Sequence, residues 1–410
     1  MKKQTESVIL RRTLATRRDF LFRSVLGAAG LAVARAQDGP LVGSIQKQVL
    51  VPEGAPGPLW FHPRACRAGE HLLMTLQPIM GSDYFGPVHF TLSSDGGKTW
   101  SAFEPAAPLG HVPAGDQGSE AVCDVTPEFH APSGTVLALG HNVFYQGKGF
   151  NKNQPPRWPV YAVWKNGVWG PRQKLVWEDP RGSLIYSNNC GQRIVLPEGD
   201  VVMSFTFGVK DRPRSVCGVR CSFDGEKLTV KQTGNALTHA VGRGFLEPSV
   251  TRFRGRFYMT IRAEDRKGYV AVSDDGVHYE PQKAWVWDDG ESLVTSTTQQ
   301  HWLTHSEGLF LVYTRWDASN QKIMRWRSPL WMAQVDEKNL RLIRSTERVV
   351  LPIRGDAENH PDLVAFNGNF GVCHVSAHES WVSDGSWCPK THRGELALAR
   401  ITWNRPNALS

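Results

Sequence analysis

The chain has 410 residues, 40% of them hydrophobic and 21% charged, which suffices for one large core or two smaller domains. Its formal charge of +8 is concentrated in residues 1–36, where eight Lys/Arg stand against two Asp/Glu; the rest is near +2, so no nucleic-acid partner is implied. Seven cysteines without a CxxC pair, and no HExxH or EF-hand loop, give no basis for a metal or any other cofactor.

The first segment, "TRRDFLFRSVLGAAGLAVARA", pairs Arg17 with Arg18, continues through Phe20 and Leu21, and ends in the small-x-small site Ala34-Arg35-Ala36. It resembles a twin-arginine export signal, so residues 1–36 are set aside and 37–410 are expected to form a single periplasmic or secreted domain. The competing reading is a weakly hydrophobic N-terminal helix of the mature protein. The apolar run Ser24 to Val33 is too short to cross a bilayer, and no other segment approaches eighteen apolar residues, so no membrane span is expected. Cys217–Cys221 and Cys373–Cys388 are the pairs placed to bridge in an oxidising compartment. A chain that folds before export is expected to keep all seven thiols reduced and buried.

Beyond the signal, "VGSIQKQVLV" from Val42 alternates as a strand. Six segments then share one grammar: a polar cluster, an apolar strand, a Gly/Asn turn and a second strand. They start at Phe61, Cys123, Asn188, Leu246, Thr298 and Asn359. Each is followed by a further strand pair, such as "YAVWKNGVWG". Four strands per unit and six units predict an all-β, six-bladed β-propeller, closed by the Val42 strand. Seven blades, or a two-domain β-sandwich, are the alternatives.

Between strands of the first unit lies "SSDGGKTW", Ser93 to Trp100. Asp-Gly-Gly is a strong turn signal, because Asp can bond its own backbone and Gly accepts positive φ. The pattern S-x-D-x-G-x-T-W resembles the Asp-box of sialidase-like propellers, which implies a folding element away from any chemistry. "SFDGEKL" from Ser222 and "SDDGVHYE" from Ser273 are shortened versions.

A propeller gathers the starts of its inner strands around one channel. That placement predicts a polar ring of His62, Asp124, Asn188, Asn189, Glu247, Gln299, Gln300, His301, Asn359 and His360. Gln77, His141, Arg262, Arg315 and His374 come from the ends of the same hairpins. His374 and His378 are four apart but follow a strand, so no metal is assigned to them.

The fourth unit, "EPSVTRFRGRFYMTIRAEDRKGYVAVSDDG", is similar to the sialidase BNR-repeat segment. By that resemblance Glu247 takes the place of the glutamate that polarises a catalytic tyrosine, Arg262 grips a substrate carboxylate, and Arg315 is a second such arginine. Two features depart from the family. "FHPR" has Phe61 where the first arginine is expected, with Arg64 nearby. The last unit, "ENHPDLVAFNGNF", has no tyrosine nucleophile and offers His360 instead.

The first expectation is therefore an exo-glycoside hydrolase on an acidic sugar. Glu247 and Asp83 would carry acid/base work with His62 or His360 assisting, and Arg262, Arg315, Arg64, Asp124, Asn189, Gln300, His301 and His141 would contact the glycan. The second is a β-eliminating lyase on a uronate glycan, with His62, His141 or His360 as base and Tyr84 or Tyr145 as acid. The third is a glycan-binding propeller without turnover, stacking sugars on Trp60, Trp302 or Trp381. Arg327 to Pro352 reads as two outer strands around a polar turn, with no chemistry. Nothing in the sequence fixes an oligomeric state.

Overall fold

The computed structural model describes residues 39–187 and 190–409; the export signal expected in residues 1–36, and the ring positions Asn188 and Asn189, lie outside the described residues. Regular structure there consists of strands and short 3-10 turns, and no helix is long and apolar enough to cross a membrane.

The strands form six antiparallel sheets. Their inner strands are, in chain order, Trp60–Ala68, Ser119–His130, Leu184–Ser187 with Ile194–Val195, Leu246–Phe253, His301–His305 and Gly371–Ser376. Second strands such as Val201–Gly208 and Gly308–Tyr313 are buried along their whole length, because both faces of each sheet are covered by neighbours.

The apolar clusters show how the sheets are arranged. Val88 and Phe90 of sheet one pack with Val122 and Val160 of sheet two. Leu139 and Tyr161 of sheet two meet Met203 and Phe205 of sheet three. Val202 and Val216 continue to Phe257 and Met259 of sheet four. Tyr258 and Val272 reach Trp302 and Leu311 of sheet five. Leu303 and Met332 reach Phe370 and Ile401 of sheet six. Finally Cys373, Trp381 and Leu398 of sheet six pack on Ala65 and Met74 of sheet one. A cycle of sheet-on-sheet contacts that returns to its start is a β-propeller.

The ring is sealed by the segment from Val42. Val42–Val51 pairs antiparallel with Leu396–Trp403, so sheet six takes its outer strand from the opposite end of the chain, as the sequence predicts. All seven cysteines are buried, and burial pushes the Cys123, Cys217 and Cys221 thiols up to about 12.

The Asp-box serves this closure. Asp95 accepts the Lys98 and Thr99 amides at 3.0 Å and the Thr99 hydroxyl at 2.7 Å; Ser93 Oγ accepts the Gly97 amide at 2.8 Å. Those bonds, the Thr99 amide foremost, hold the Asp95 carboxyl down to about 2. The compact turn then docks on sheet six. Gln48 Nε2 donates to Gly97 O at 3.0 Å, Arg400 Nη2 donates to Gly96 O at 3.1 Å, and the Trp100 and Trp381 rings lie 6.0 Å apart. The shortened turns repeat the device: Gly276 of sheet four lies against Val202 of sheet three, and Gly225 of sheet three against Ser133 of sheet two. Trp60, Trp302 and Trp381 are buried anchors of this packing, so none is placed to stack on a sugar.

One segment departs from the repeat grammar. The first strand expected in the last unit, "LVAF", is no strand. "GVCHVS" is the inner strand of sheet six, and Glu379–Gly385 follows it. Asn367 to Asn369 instead form a loop tied inward, with the Asn367 amide donating to Arg327 O at 2.7 Å and the Gly368 amide to Asp384 Oδ2 at 3.0 Å. Burial raises the Asp384 carboxyl to about 7.

Two stability measurements check this account. A β-carbon at Gly97 would lie 2.1 Å from the Trp381 ring, on a residue with φ of +75°. Gly97→Ala is expected to lose about 2–4 kcal/mol in urea unfolding. Gly149→Ala, which meets nothing within 4 Å, should stay within about 0.5 kcal/mol. Equal midpoints for the two would contradict the docking role. The folded Asp384 carboxyl lies above its ordinary value of 3.8, so its contribution is complete below that value and is lost as pH rises through about 7. Relative to Asp384→Asn, the native chain should lose on the order of 3 kcal/mol of unfolding free energy from about pH 4 to about pH 8. Parallel pH profiles for the two proteins would rule this out.

Candidate active site

The inner strands of sheets one, two and four lose register near their starts, between Phe61 and Arg64, Cys123 and Thr126, and Leu246 and Ser249. Inside each bulge sits a residue with positive φ: His62 at 52°, Asp124 at 56° and Glu247 at 44°. A bulge re-aims its side chain out of the in/out alternation, here into the channel. Left-handed backbone costs a residue with a side chain about 1–3 kcal/mol and concentrates at functional sites. Asp83, in the loop after the first hairpin, has φ of 54°. All four residues line one cavity of about 250 Å³, together with Gln299, Asn369 and the guanidiniums of Arg243, Arg262, Arg325 and Arg327.

The acidic wall is built around Asp124. Its Oδ1 accepts from Arg64 Nη2 at 3.0 Å and lies 3.5 Å from His62 Nε2. Burial opposes the charge on Asp124, but His62 and Arg64 outweigh it and hold the carboxyl well below the usual range. His62 is buried between the Phe61 and Phe85 rings, each with its centroid 4.6 Å away, and its Nδ1 is 3.5 Å from Gln77 Oε1. Burial, with Arg64 adding to it, lowers His62 to about 4, so the imidazole is neutral at neutral pH. Arg64 is only 1% exposed; its Nη2 also reaches Gln299 Oε1 at 3.1 Å, while Nε and Nη1 have no partner.

The basic wall faces it. Arg262 Nη1 donates to Glu247 Oε1 at 2.6 Å, and its Nε donates to Thr297 Oγ1 at 3.0 Å. Glu247 Oε2 is buried with no hydrogen-bond partner, an orphan acceptor of the kind that marks working sites. Arg325 donates to the Thr297 carbonyl, and Arg327 Nε to the Asn367 carbonyl at 3.0 Å. Among the described residues neither has a carboxylate within ion-pair distance. Burial, and then the charges of Arg325 and Arg262, bring Arg327 down to about 10. Arg325 and Trp326 are both left-handed, with φ of 55° and 49°.

Several residues expected in the ring stand elsewhere. Arg315 is saturated: Nε and Nη2 grip Glu347 at 2.8 and 2.7 Å, Nη1 reaches Asp317 at 3.0 Å, and the guanidinium lies over the Trp331 ring at 4.4 Å. It ties sheet five together and is no carboxylate clamp. His360 is exposed on the loop before Pro361–Leu363, because the inner strand of sheet six begins only at Gly371. Gln300 points into sheet four, accepting from Thr260 Oγ1 at 2.6 Å; its neighbour Gln299 faces the cavity.

His301 and Arg64 line a second cavity, further along the same inner strands. His301 has Nε2 3.3 Å from Gln299 Oε1, and burial lowers it to about 3. His141 is buried opposite Cys123 in sheet two, and burial followed by Arg157 lowers it to about 3. The Tyr145 hydroxyl accepts the Phe85 amide at 3.2 Å and lies 3.3 Å from Cys123 Sγ; neither it nor Tyr84 lines the cavity. Arg243, Arg325 and Arg327 are the cavity residues that sequence reasoning missed. For Arg325 and Arg327 the only signal is the density of cations in "MRWRSP", a stretch that reads simply as the approach to an outer strand; Arg243 carries none.

No family model matches the chain, and no curated protein sequence matches it. Solved structures share its fold. A Dyadobacter fermentans protein of unknown function aligns with TM-score 0.61 and 13% identity over 89% of this chain and 100% of its own. The Trypanosoma rangeli sialidase in complex with the inhibitor DANA aligns with TM-score 0.61 and 14% identity over 88% of this chain. NanB sialidase from Streptococcus pneumoniae aligns with TM-score 0.61 and 11% identity over 87%. The chain spans 60% of the Trypanosoma sialidase and 70% of NanB. The propeller is therefore of the sialidase-like type in fold.

Proposed function

We propose that the chain is an exported, six-bladed sialidase-like propeller, one blade per sheet, that hydrolyses a terminal acidic sugar from a glycan. The supporting observation is the group of guanidiniums from Arg262, Arg325 and Arg327 in one cavity, two of them bonded only to backbone carbonyls. Arg327 is half-buried and Arg325 stands exposed at the mouth; cations grouped without a counter-ion favour an anion, and planar guanidiniums suit a carboxylate. The substrate carboxylate takes the place among these arginines that Arg315 does not fill.

On this reading Asp83, at the exposed lip, protonates the leaving oxygen. Asp124, kept ionised by Arg64, takes a proton from the attacking water. Glu247 holds Arg262 through one oxygen and receives a sugar hydroxyl on the other. With Asp124 as base, water attacks the anomeric carbon directly and configuration inverts. The glycosidic bond breaks, one water is added, and its proton ends on Asp124 while that of Asp83 leaves with the aglycone. His62, neutral and enclosed by aromatic rings, positions Asp124.

A product mass balance tests the reaction on sialylated and uronate oligosaccharides. Products whose masses sum to substrate plus one water are expected; an unsaturated product with no added water would instead mean elimination with Asp124 and His62 on the base side. Asp124→Asn should lower kcat/KM about 1000-fold and Glu247→Gln about 100-fold. Arg325→Ala should raise KM for acidic sugars roughly 10- to 100-fold while leaving the fold intact.

The pH profile tests Arg64. Arg64 favours the charged form of Asp124, so activity should persist below the ordinary carboxylate range. Arg64→Met raises the Asp124 carboxyl and should move the acid limb of kcat/KM upward by about one pH unit. An unmoved limb in a folded Arg64→Met protein would remove Asp124 as the base.

A further inference from the structure

A separate, open groove of about 430 Å³ adjoins the cavity that holds Glu247, and Arg243 lines both. Its other cations are Lys152, Arg157, Lys210, Arg212 and Arg214, and the one carboxylate on its lining is Asp211. Arg243 is paired with Glu264 at 2.6 Å. The remaining five have no carboxylate within ion-pair distance among the described residues. Five unpaired cations against one carboxylate in a single groove is a marked local imbalance on a chain whose charge outside residues 1–36 is near +2.

The groove is also built. Arg214 lies over the Tyr186 ring at 3.8 Å, and Tyr186 is fixed by its hydroxyl donating to Val209 O at 3.1 Å. Arg157 Nε donates to Asn142 O at 3.0 Å, which leaves the rest of its fork for another acceptor. Lys210 and Arg212 stand exposed at the rim beside Asp211, whose φ is 61°. The two sites share one field: Glu247 acts on Arg214, and Asp124 acts on Arg157.

We infer that this groove binds the acidic groups of a polyanionic glycan, sulfates or carboxylates on the sugars that follow the residue held in the cavity. The inference rests on the proposed hydrolase reading and narrows its substrate to a chain with several charges. Continuity with a cavity of sugar size, a concave wall and forked guanidiniums favour a flexible glycan over the surface of a bilayer, which cannot enter a groove. Duplex nucleic acid is the competing polyanion, and the test includes it.

The full exported protein is titrated calorimetrically with glucuronic acid, a chondroitin sulfate hexasaccharide, its unsulfated counterpart and a short DNA duplex. The variant Lys210→Glu/Arg212→Glu changes only the rim. The expected result is hexasaccharide binding weakened about 10- to 100-fold, with a shallower salt dependence and glucuronate binding unchanged. Unsulfated chondroitin should bind more weakly than the sulfated chain. Wild-type hexasaccharide affinity in a variant with unchanged circular dichroism overturns the inference, as does duplex DNA binding as tightly as the hexasaccharide. Groove-dependent binding without any product would retire the hydrolase reading and leave the groove standing; products with groove-independent binding would do the reverse.

Discussion

The site depends on one constraint: a β-strand alternates its side chains between two faces, and a channel at the inner edge of six sheets needs some of them aimed along neither. Sheets one, two and four solve this alike, with a bulge at the start of the inner strand and a left-handed residue within it. His62, Asp124 and Glu247 are large or charged side chains on backbone that favours glycine. Their strain is sustained because each bulge is gripped from both sides by a closed ring of packed sheets.

That ring is held at its seam by chemistry far from the site. The Asp95 carboxylate turns a loop back on itself, so that glycines at 96 and 97 present bare backbone to Arg400, Gln48 and Trp381. A side chain at Gly97 would push sheet one away from sheet six. The bulge carrying His62 belongs to the same sheet one, so the fit at the rim bears on the register at the hub. The Asp-box thus earns its unusual composition as a spacer between successive sheets, and the shortened turns at Asp224 and Asp275 act on the next sheets in the same sense.

The architecture was legible because its signals are local. Turn residues, alternation and the repeat spacing gave the sheets, the closing strand and the ring positions of His62, Asp124, Glu247 and Arg262. Failures came where partners distant in sequence decide. Arg315 looks like a clamp because Glu347, the carboxylate that occupies it, lies 32 residues further on, at the end of the 3-10 turn before strand Arg348–Leu351. Gln300 shares the polar character of Gln299, but adjacent residues of the extended segment before strand His301–His305 face opposite ways. His360 was placed at the hub because Asn367-Gly368-Asn369 has the composition of a hairpin turn; in fact Arg327 and Asp384 tie it down as a loop at the cavity floor. Arg325 and Arg327 precede an outer strand and carry no pattern that points inward.

Counter-ion satisfaction separates the arginines better than position in the repeat does. Arg315 has two carboxylates and an aromatic face, so its charge is consumed within the fold. Arg262 shares one carboxylate that keeps an oxygen free. Arg325 and Arg327 have only carbonyl partners, whose dipoles orient a guanidinium without neutralising it. Arg64 is intermediate: it is buried and bonded to Asp124, and it trades its own unpartnered nitrogens for an ionised carboxylate in the cavity. Among these arginines, saturation within sheet five removes Arg315 from the site, while the unsaturated ones line the cavity. Bringing several uncompensated cations together is costly in the free protein, and a bound anion relieves that cost, so the same repulsion that weakens the empty site strengthens its preference for an acidic ligand.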